Sequence, residues 1–277
     1  MDDAVSECVI EEHANIFINR FKPSLERINN QQFANAEIES IIEEISQIVK
    51  NNDSGKEFYN WLTNPQDKVK LIDFDNIENN DFAVCCELKF YNKDLGNHFR
   101  PDINILINGM PLSFLEVKKP NNPGGIRAEF ERNEKRQSEP YNTRYFNMFQ
   151  VLAFSNNMEY EEVDNVNNIR AGSFYTTPNR NKSLYSFLRE DDDKYLYNYD
   201  YLPVSNDRIR EITWDNHYDP KNCDTPEFKF NLKTTTPSNK FITSLYDKER
   251  ILYLIKYGIL YVDNQILEKH IMRYLCK

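Results

Sequence analysis

Three residues in one short stretch have the types and spacing for chemistry at a phosphate. Asp102 follows Pro101, and Glu116 and Lys118 stand two apart near the end of the run PDINILINGMPLSFLEVKK, residues 101–119. Two apolar segments flank Asn108-Gly109, a pair that tolerates positive φ and marks a tight hairpin. Alternation puts Asp102, Asn104, Leu106, Leu112, Phe114, Glu116 and Lys118 on one set of faces. It puts Ile103, Ile105, Ile107, Leu115 and Val117 on the other, an aliphatic set that must face a core. With a three-residue loop, Asn108 to Met110, Ile107 pairs with Pro111 and Asp102 falls opposite Glu116. Opposed side chains on one face have Cβ atoms about 4.5–5.5 Å apart. Two carboxylates that close repel unless a cation lies between them, and Mg²⁺ takes one or two carboxylates plus substrate phosphate. Lys118 then projects from the same face, placed to hold an attacking water and to offset charge as a phosphodiester becomes pentacoordinate. A two-residue turn would instead set Asp102 against Leu115 and break the pair. As a bare pattern, Asp followed by Glu-x-Lys is weak, and the same residues would serve as the solvated end of an ordinary strand. The preceding proline, the aliphatic strands and an acidic pair at one end of one hairpin give it weight.

The elements that must position this hairpin are legible from periodicity. Residues 31–50 place Phe33, Ile38, Ile41, Ile42, Ile45 and Ile48 at helical spacing, and 54–63 form a second helix stopped by Asn64-Pro65. Strands are expected at Val69–Phe74 and Phe82–Tyr91, a charged helix over 124–137, and strands over 147–155 and 166–175. Residues 179–238 read as Tyr/Asn/Asp-rich loops, and helical period returns over 240–257, with Gly258 at the C-terminal cap position.

Composition narrows the function classes. The 277 residues carry 34 Lys+Arg against 44 Asp+Glu, a net charge of −10, with seven glycines. Those glycines form no G-x-G-x-x-G and no G-x-x-x-x-G-K-[ST], so dinucleotide and P-loop cradles are absent. No apolar run approaches the ~18–20 residues of a membrane span, and the first residues lack a signal-peptide pattern, so a soluble, cytoplasmic protein is expected. Five cysteines without a C-x-x-C argue against structural zinc and a disulfide framework. The acidic balance argues against coating nucleic acid non-specifically and leaves room for a local grip.

The run from Arg100-Pro101-Asp102 through Asn108-Gly109-Met-Pro111-Leu112 to Glu116-Val-Lys118 closely resembles the N-terminal nuclease domain of the R (motor) subunit of type I restriction enzymes. Segments beginning at Lys70, Asn80 and Phe149 resemble that family in the right order, and Lys269 to Tyr274 resembles the join to its motor. The resemblance implies an α/β, restriction-endonuclease-like PD-(D/E)-x-K core, a mixed sheet flanked by helices, with a C-terminal helical and irregular extension. It implies a core over 1–160 and an extension over 161–277 that completes the nuclease domain and leads to a motor absent from this chain. The activity implied is Mg²⁺-dependent cleavage of double-stranded DNA. Asp102 and Glu116 would bind the metal and Lys118 would support the nucleophile. Specificity and methylation subunits would be partners of the intact subunit, and ATP its cofactor, not bound by these residues. Gln137 and Tyr141 match a Q-x-x-x-Y helix motif of the family, whose i, i+4 spacing shares a face, though Pro140 would end or kink that helix.

From Lys118 to Arg144 there are seven basic and four acidic residues, +3 inside a −10 chain. A solvated helix face is the common meaning of such a run; its place after the catalytic strand favours DNA-backbone contact by Lys119, Arg127 and Arg136. Asp73, on the strand expected before the hairpin, is a candidate accessory acid. Glu37, Glu39, Glu43 and Glu44 read as a polar helix face, although this superfamily often brings one helical carboxylate to the metal. Two rival functions keep the fold: a non-catalytic domain that docks DNA or subunits, and a stand-alone nuclease of the same superfamily.

Overall fold

The computed structural model describes residues 15–91, 98–120, 125–162, 170–180, 182–188, 205–207, 209–210 and 223–272. The described chain opens with three helices, α1 (Ile18–Asn29), α2 (Asn35–Ile48) and α3 (Lys56–Thr63). The strands β1 (Phe82–Cys86), β2 (Phe90–Tyr91), β3 (His98–Phe99), β4 (Ile103–Ile107) and β5 (Met110–Val117) follow. Next come α4 (Arg127–Ser138), α5 (Thr143–Met148), β6 (Val151–Ser155), β7 (Glu161–Glu162), β8 (Arg170–Ala171), β9 (Ser173–Thr176) and β10 (Ser186–Phe187). Helices Pro226–Asn231, Pro237–Leu245 and Lys248–Tyr257 precede a final hairpin of β11 (Ile259–Asn264) and β12 (Ile266–Ile271).

Six strands make one mixed sheet in the order β1-β4-β5-β6-β9-β10, with β5 and β6 parallel and the other pairs antiparallel. The α/β class and the mixed sheet flanked by helices are therefore as expected. One face packs Leu112, Leu115, Val151 and Ala153 against α1–α3 and the helices at 237–257. The other packs Leu106, Phe114, Leu152 and Phe154 against Phe130 of α4 and Tyr145 and Phe146 of α5. The last two strands of the sheet and the C-terminal helices come from beyond residue 160, and they share this core.

Several elements depart from expectation for local reasons. Residues 69–74 form no strand, because side chains take their backbone groups. Trp61 Nε1 donates to the Val69 carbonyl at 2.9 Å, Asn29 pairs with both N–H and C=O of Lys70, and Asn108 Nδ2 donates to the Leu71 carbonyl. The strand expected over 82–91 is broken at Glu87, whose φ is +52°. Helix α1 carries an interior Pro23, which masks it in the sequence. The helical run 240–257 is two helices, split where Asp247 caps the second by accepting from Arg250 N. Gly258 does occupy that helix's C-cap, with an ordinary right-handed φ of −89°. Among the described residues the extension adds the β11–β12 hairpin to the helical and irregular structure expected there. Strand 166–175 survives as β8 and β9, its first residues lying outside those described.

Candidate functional site

The hairpin that carries the candidate residues turns in two residues, where three were expected. Ile107 pairs with Met110 across Asn108 and Gly109, whose φ values of +52° and +76° are those of a type I′ turn. That turn alone would set Asp102 against Leu115. A β-bulge corrects it: Leu106 pairs with Pro111, but Ile105 pairs with Ser113, so Leu112 is the extra residue. Beyond the bulge Ile103 pairs with Leu115, and the next position outward sets Asp102 beside Glu116. The bulge also turns Leu112 to the layer that holds Leu115, away from the Phe114 face assigned by simple alternation. The freed Leu112 carbonyl accepts from Gln150 N at 2.7 Å, which fastens the bulge to the start of β6. Val117, expected in the aliphatic core set, is 37 % exposed at the strand's end.

Asn108 anchors the turn to its surroundings. Its side chain donates to Asn80 Oδ1 and the Leu71 carbonyl, both at 2.9 Å, and accepts from Asp81 N at 2.7 Å. Phe17 N, at the entrance to α1, donates to the Gly109 carbonyl at 2.9 Å. The closed end of the hairpin is thus clamped, and its open end presents the charged groups.

At that open end Asp102, Glu116 and Lys118 meet. Lys118 Nζ lies 3.9 Å from Asp102 Oδ2 and 3.9 Å from Glu116 Oε2, so these two oxygens are no farther apart than twice that distance. Asp102 Oδ2 also accepts from Val117 N at 2.7 Å, a side-chain bond that fixes the carboxylate across the end of β5. Glu116 is 2 % exposed. Burial pushes its carboxyl up to about 7, and the nearby Asp102 charge adds to the rise, while the Arg136 guanidinium opposes it.

Helix α4 supplies a carboxylate that the sequence reading passed over. Glu129 is 1 % exposed, with Oε2 3.7 Å from Lys118 Nζ and Oε1 3.1 Å from Arg132 NH1. A signal was available: Ile126, Glu129, Phe130, Asn133 and Gln137 recur at helical spacing and are the buried face of this helix. By contrast Glu37, Glu39, Glu43 and Glu44 are exposed on α2, which packs on the opposite side of the sheet.

The other candidates scatter. Arg136 turns inward, NH1 2.6 Å from Glu116 Oε1 and its guanidinium 4.6 Å from the Phe99 ring centre, so it is a partner of the buried carboxylate. Lys119 and Arg127 are exposed, and Arg127 pairs with Glu131 at 3.0 Å. Helix α4 ends at Ser138, and Tyr141 lies in a separate 3₁₀ turn begun by Pro140, so Gln137 and Tyr141 share no continuous helix face. Gln137 is buried and clamps the segment after β9, accepting from Asn179 N at 2.8 Å and donating to Ser183 Oγ at 3.0 Å. Asp73 lies in the irregular segment, where its carboxylate accepts from Asp75 N, Asn76 N and Asn79 Nδ2. Those bonds outweigh its burial and hold the carboxyl below the usual range, the pattern of a turn-capping acid.

The fold and site therefore define an α/β protein with a mixed sheet whose central hairpin ends in paired carboxylates and a lysine. Residues 3–169 match the family described as the type I restriction enzyme R protein N terminus, and the chain belongs to that family. Among relatives from Methanocaldococcus jannaschii, a protein named as the MjaIXP endonuclease subunit of a type I restriction enzyme is 31 % identical over 93 residues, 33 % of this chain and 9 % of the relative. Those named as the MjaVIIP and MjaVIIIP endonuclease subunits are 45 % identical over 51 residues and 44 % over 52, about a fifth of this chain and 5 % of each relative. The chain thus matches a small part of much longer proteins. Among the described residues, no helix is long and apolar enough to cross a membrane.

Proposed function

We propose that this chain is the DNA-cutting part of a type I restriction enzyme R subunit, with a PD-(D/E)-x-K site built from Asp102, Glu116 and Lys118. The observation that carries the reading is their convergence: Lys118 Nζ stands 3.9 Å from both acids at the open end of a clamped hairpin. The donor set suits a divalent ion. Two hard oxygen ligands lie side by side, one is buried, and it already draws a guanidinium to 2.6 Å. Asp102 and Glu116 would hold Mg²⁺, which when bound would supply Lewis-acid stabilisation of the phosphoryl oxygens.

The remaining work falls to this chain's own groups. Lys118, braced by Glu129, would orient the attacking water and offset charge on the pentacoordinate phosphorus. The Val117 N–H fixes the Asp102 carboxylate at the entrance. Lys119 and Arg127, exposed beside the site, would meet the DNA backbone. A motor, ATP use, and specificity and methylation subunits would belong to a longer protein of the kind its relatives are named for. Incubation of plasmid DNA with the protein and Mg²⁺, beside the variants Asp102→Asn and Lys118→Ala, tests the assignment. Nicking by wild type alone supports it, and equal cutting by all three rules it out. If none cuts while wild type binds duplex DNA, the docking function is the better account.

A further inference from the structure

Arg136 is the cation that holds the buried Glu116 carboxylate most closely. It reaches Glu116 from the last turn of α4, rests on the Phe99 ring, and makes the shortest ion pair of the site. Phe99 is in turn stacked on Phe146, with ring centres 5.6 Å apart, so the guanidinium lies on a packed aromatic floor. One Glu116 oxygen faces Arg136 and the other faces Lys118, so the carboxylate is held from both sides by cations. A divalent ion held by Asp102 and Glu116 would add two positive charges near that guanidinium, where like charges in a buried setting repel strongly.

We infer that Arg136 is the resident counter-ion of Glu116, that a divalent cation displaces it from that carboxylate, and that the released guanidinium then takes a DNA phosphate. The inference rests on the proposed metal site and adds a linkage to it. DNA that captures Arg136 vacates Glu116 for the ion, and the ion frees Arg136 for DNA, so each ligand raises the affinity for the other by the same factor. Arg136 is a positioning residue in this scheme: it keeps Glu116 in place until the two ligands arrive together. A guanidinium suits both roles, since it donates to one Glu116 oxygen here and its planar set of donors fits phosphate oxygens equally well.

The test is Mn²⁺ binding by the full chain, followed by electron paramagnetic resonance under alkaline conditions that keep Glu116 deprotonated. Arg136→Met, which retains an apolar contact with Phe99, is expected to bind Mn²⁺ ~10-fold more tightly than wild type, the factor that one lost charge-assisted hydrogen bond brings. Arg136→Lys, which keeps the charge but loses the fork, should fall between them. Adding a short duplex should tighten Mn²⁺ binding to wild type by a larger factor than to Arg136→Met, which keeps only the direct pull of phosphate on the ion; an equal factor in both overturns the linkage through Arg136. Equal or weaker binding by Arg136→Met overturns the inference while leaving the metal site standing. If wild type and Asp102→Asn bind Mn²⁺ alike, the metal site fails and the inference with it. A second readout does not depend on the stability of the variants: the Arg136 side-chain nitrogen resonance of wild type should move when Mg²⁺ is added. A resonance that stays fixed at saturating Mg²⁺ overturns the displacement.

Discussion

Gly109→Ala should weaken the whole hairpin, because two separate costs meet at one methyl group. The first is conformational: Gly109 has φ +76°, and an L-residue there costs about 1–2 kcal/mol. The second is steric. A Cβ at this position would lie 2.6 Å from the Phe17 carbonyl oxygen and 2.8 Å from Phe21 N, both backbone atoms at the start of α1. Backbone cannot rotate aside as a side chain can, so α1 must shift, and overpacking of that kind costs about 1–3 kcal/mol. The shift would also strain the bond from Phe17 N to the Gly109 carbonyl. Together the loss is roughly 2–5 kcal/mol out of a typical 5–15. At about 2–4 °C per kcal/mol for a chain of this size class, Tm should fall by roughly 4–20 °C, readable by calorimetry or circular dichroism. An unchanged Tm, with α1 still ordered, would refute the close packing of α1 on the turn and the reasoning built on it.

Lys269 is fully buried, its ammonium donating to the Phe149 carbonyl and Gln150 Oε1, and burial lowers its pKa from 10.5 to about 7, with Asp53 opposing. Because the folded value lies below the unfolded one, the unfolded state binds more protons between those limits, so this residue makes stability rise with pH from about 7 to 10.5. The slope should flatten in Lys269→Met, and parallel curves for the two proteins in denaturant titrations across that range would contradict the burial. Gln137→Ala should free the segment at 179–183 and make it more sensitive to limited proteolysis, with a stability loss of about 1–3 kcal/mol from stranded buried groups; unchanged cleavage there would show that the clamp does not matter. Asn108→Ala removes three hydrogen bonds and should cost about 2–4 kcal/mol by chemical denaturation. A loss below half a kilocalorie would mean that water replaces the amide.

The centre of the sheet was legible because its strands are short apolar runs, two of which are joined by turn residues. Asn108-Gly109 is the clearest case. What could not be read there was the bulge at Leu112: nothing in Met-Pro-Leu-Ser distinguishes one extra residue in the strand from one extra in the loop. Both choices bring Asp102 opposite Glu116, so the pairing was recoverable while its geometry was not. The segment at 69–74 failed for a different reason. Its residues have strand propensity, but the nearby Trp61 and the sequence-distant Asn29 and Asn108 take its hydrogen bonds, an override of local preference. Arg136 and Glu129 show the same limit on a helix. A count of basic residues marks α4 as charged; helical spacing places Glu129 with Ile126, Phe130 and Gln137, but only packing shows that Arg136 turns toward Glu116 while Arg127 is exposed to solvent.

The charge balance of the site bears on how such a protein can be acidic and still grip DNA. Asp102, Glu116 and Glu129 face Lys118, Arg132 and Arg136, so the cluster is formally neutral as it stands. A neutral cluster is stable to burial without an ion, which lets Glu116 remain 2 % exposed. Adding a divalent ion would leave the same groups with two excess positive charges in a low-dielectric setting, a state that water solvates poorly. Phosphates of a duplex would supply the missing negative charge at the point where it is needed. On the proposed function, then, the net −10 of the chain does not oppose DNA binding at the site. It discourages the unproductive encounter, DNA without the ion, and leaves the productive one to be assembled from three components at once.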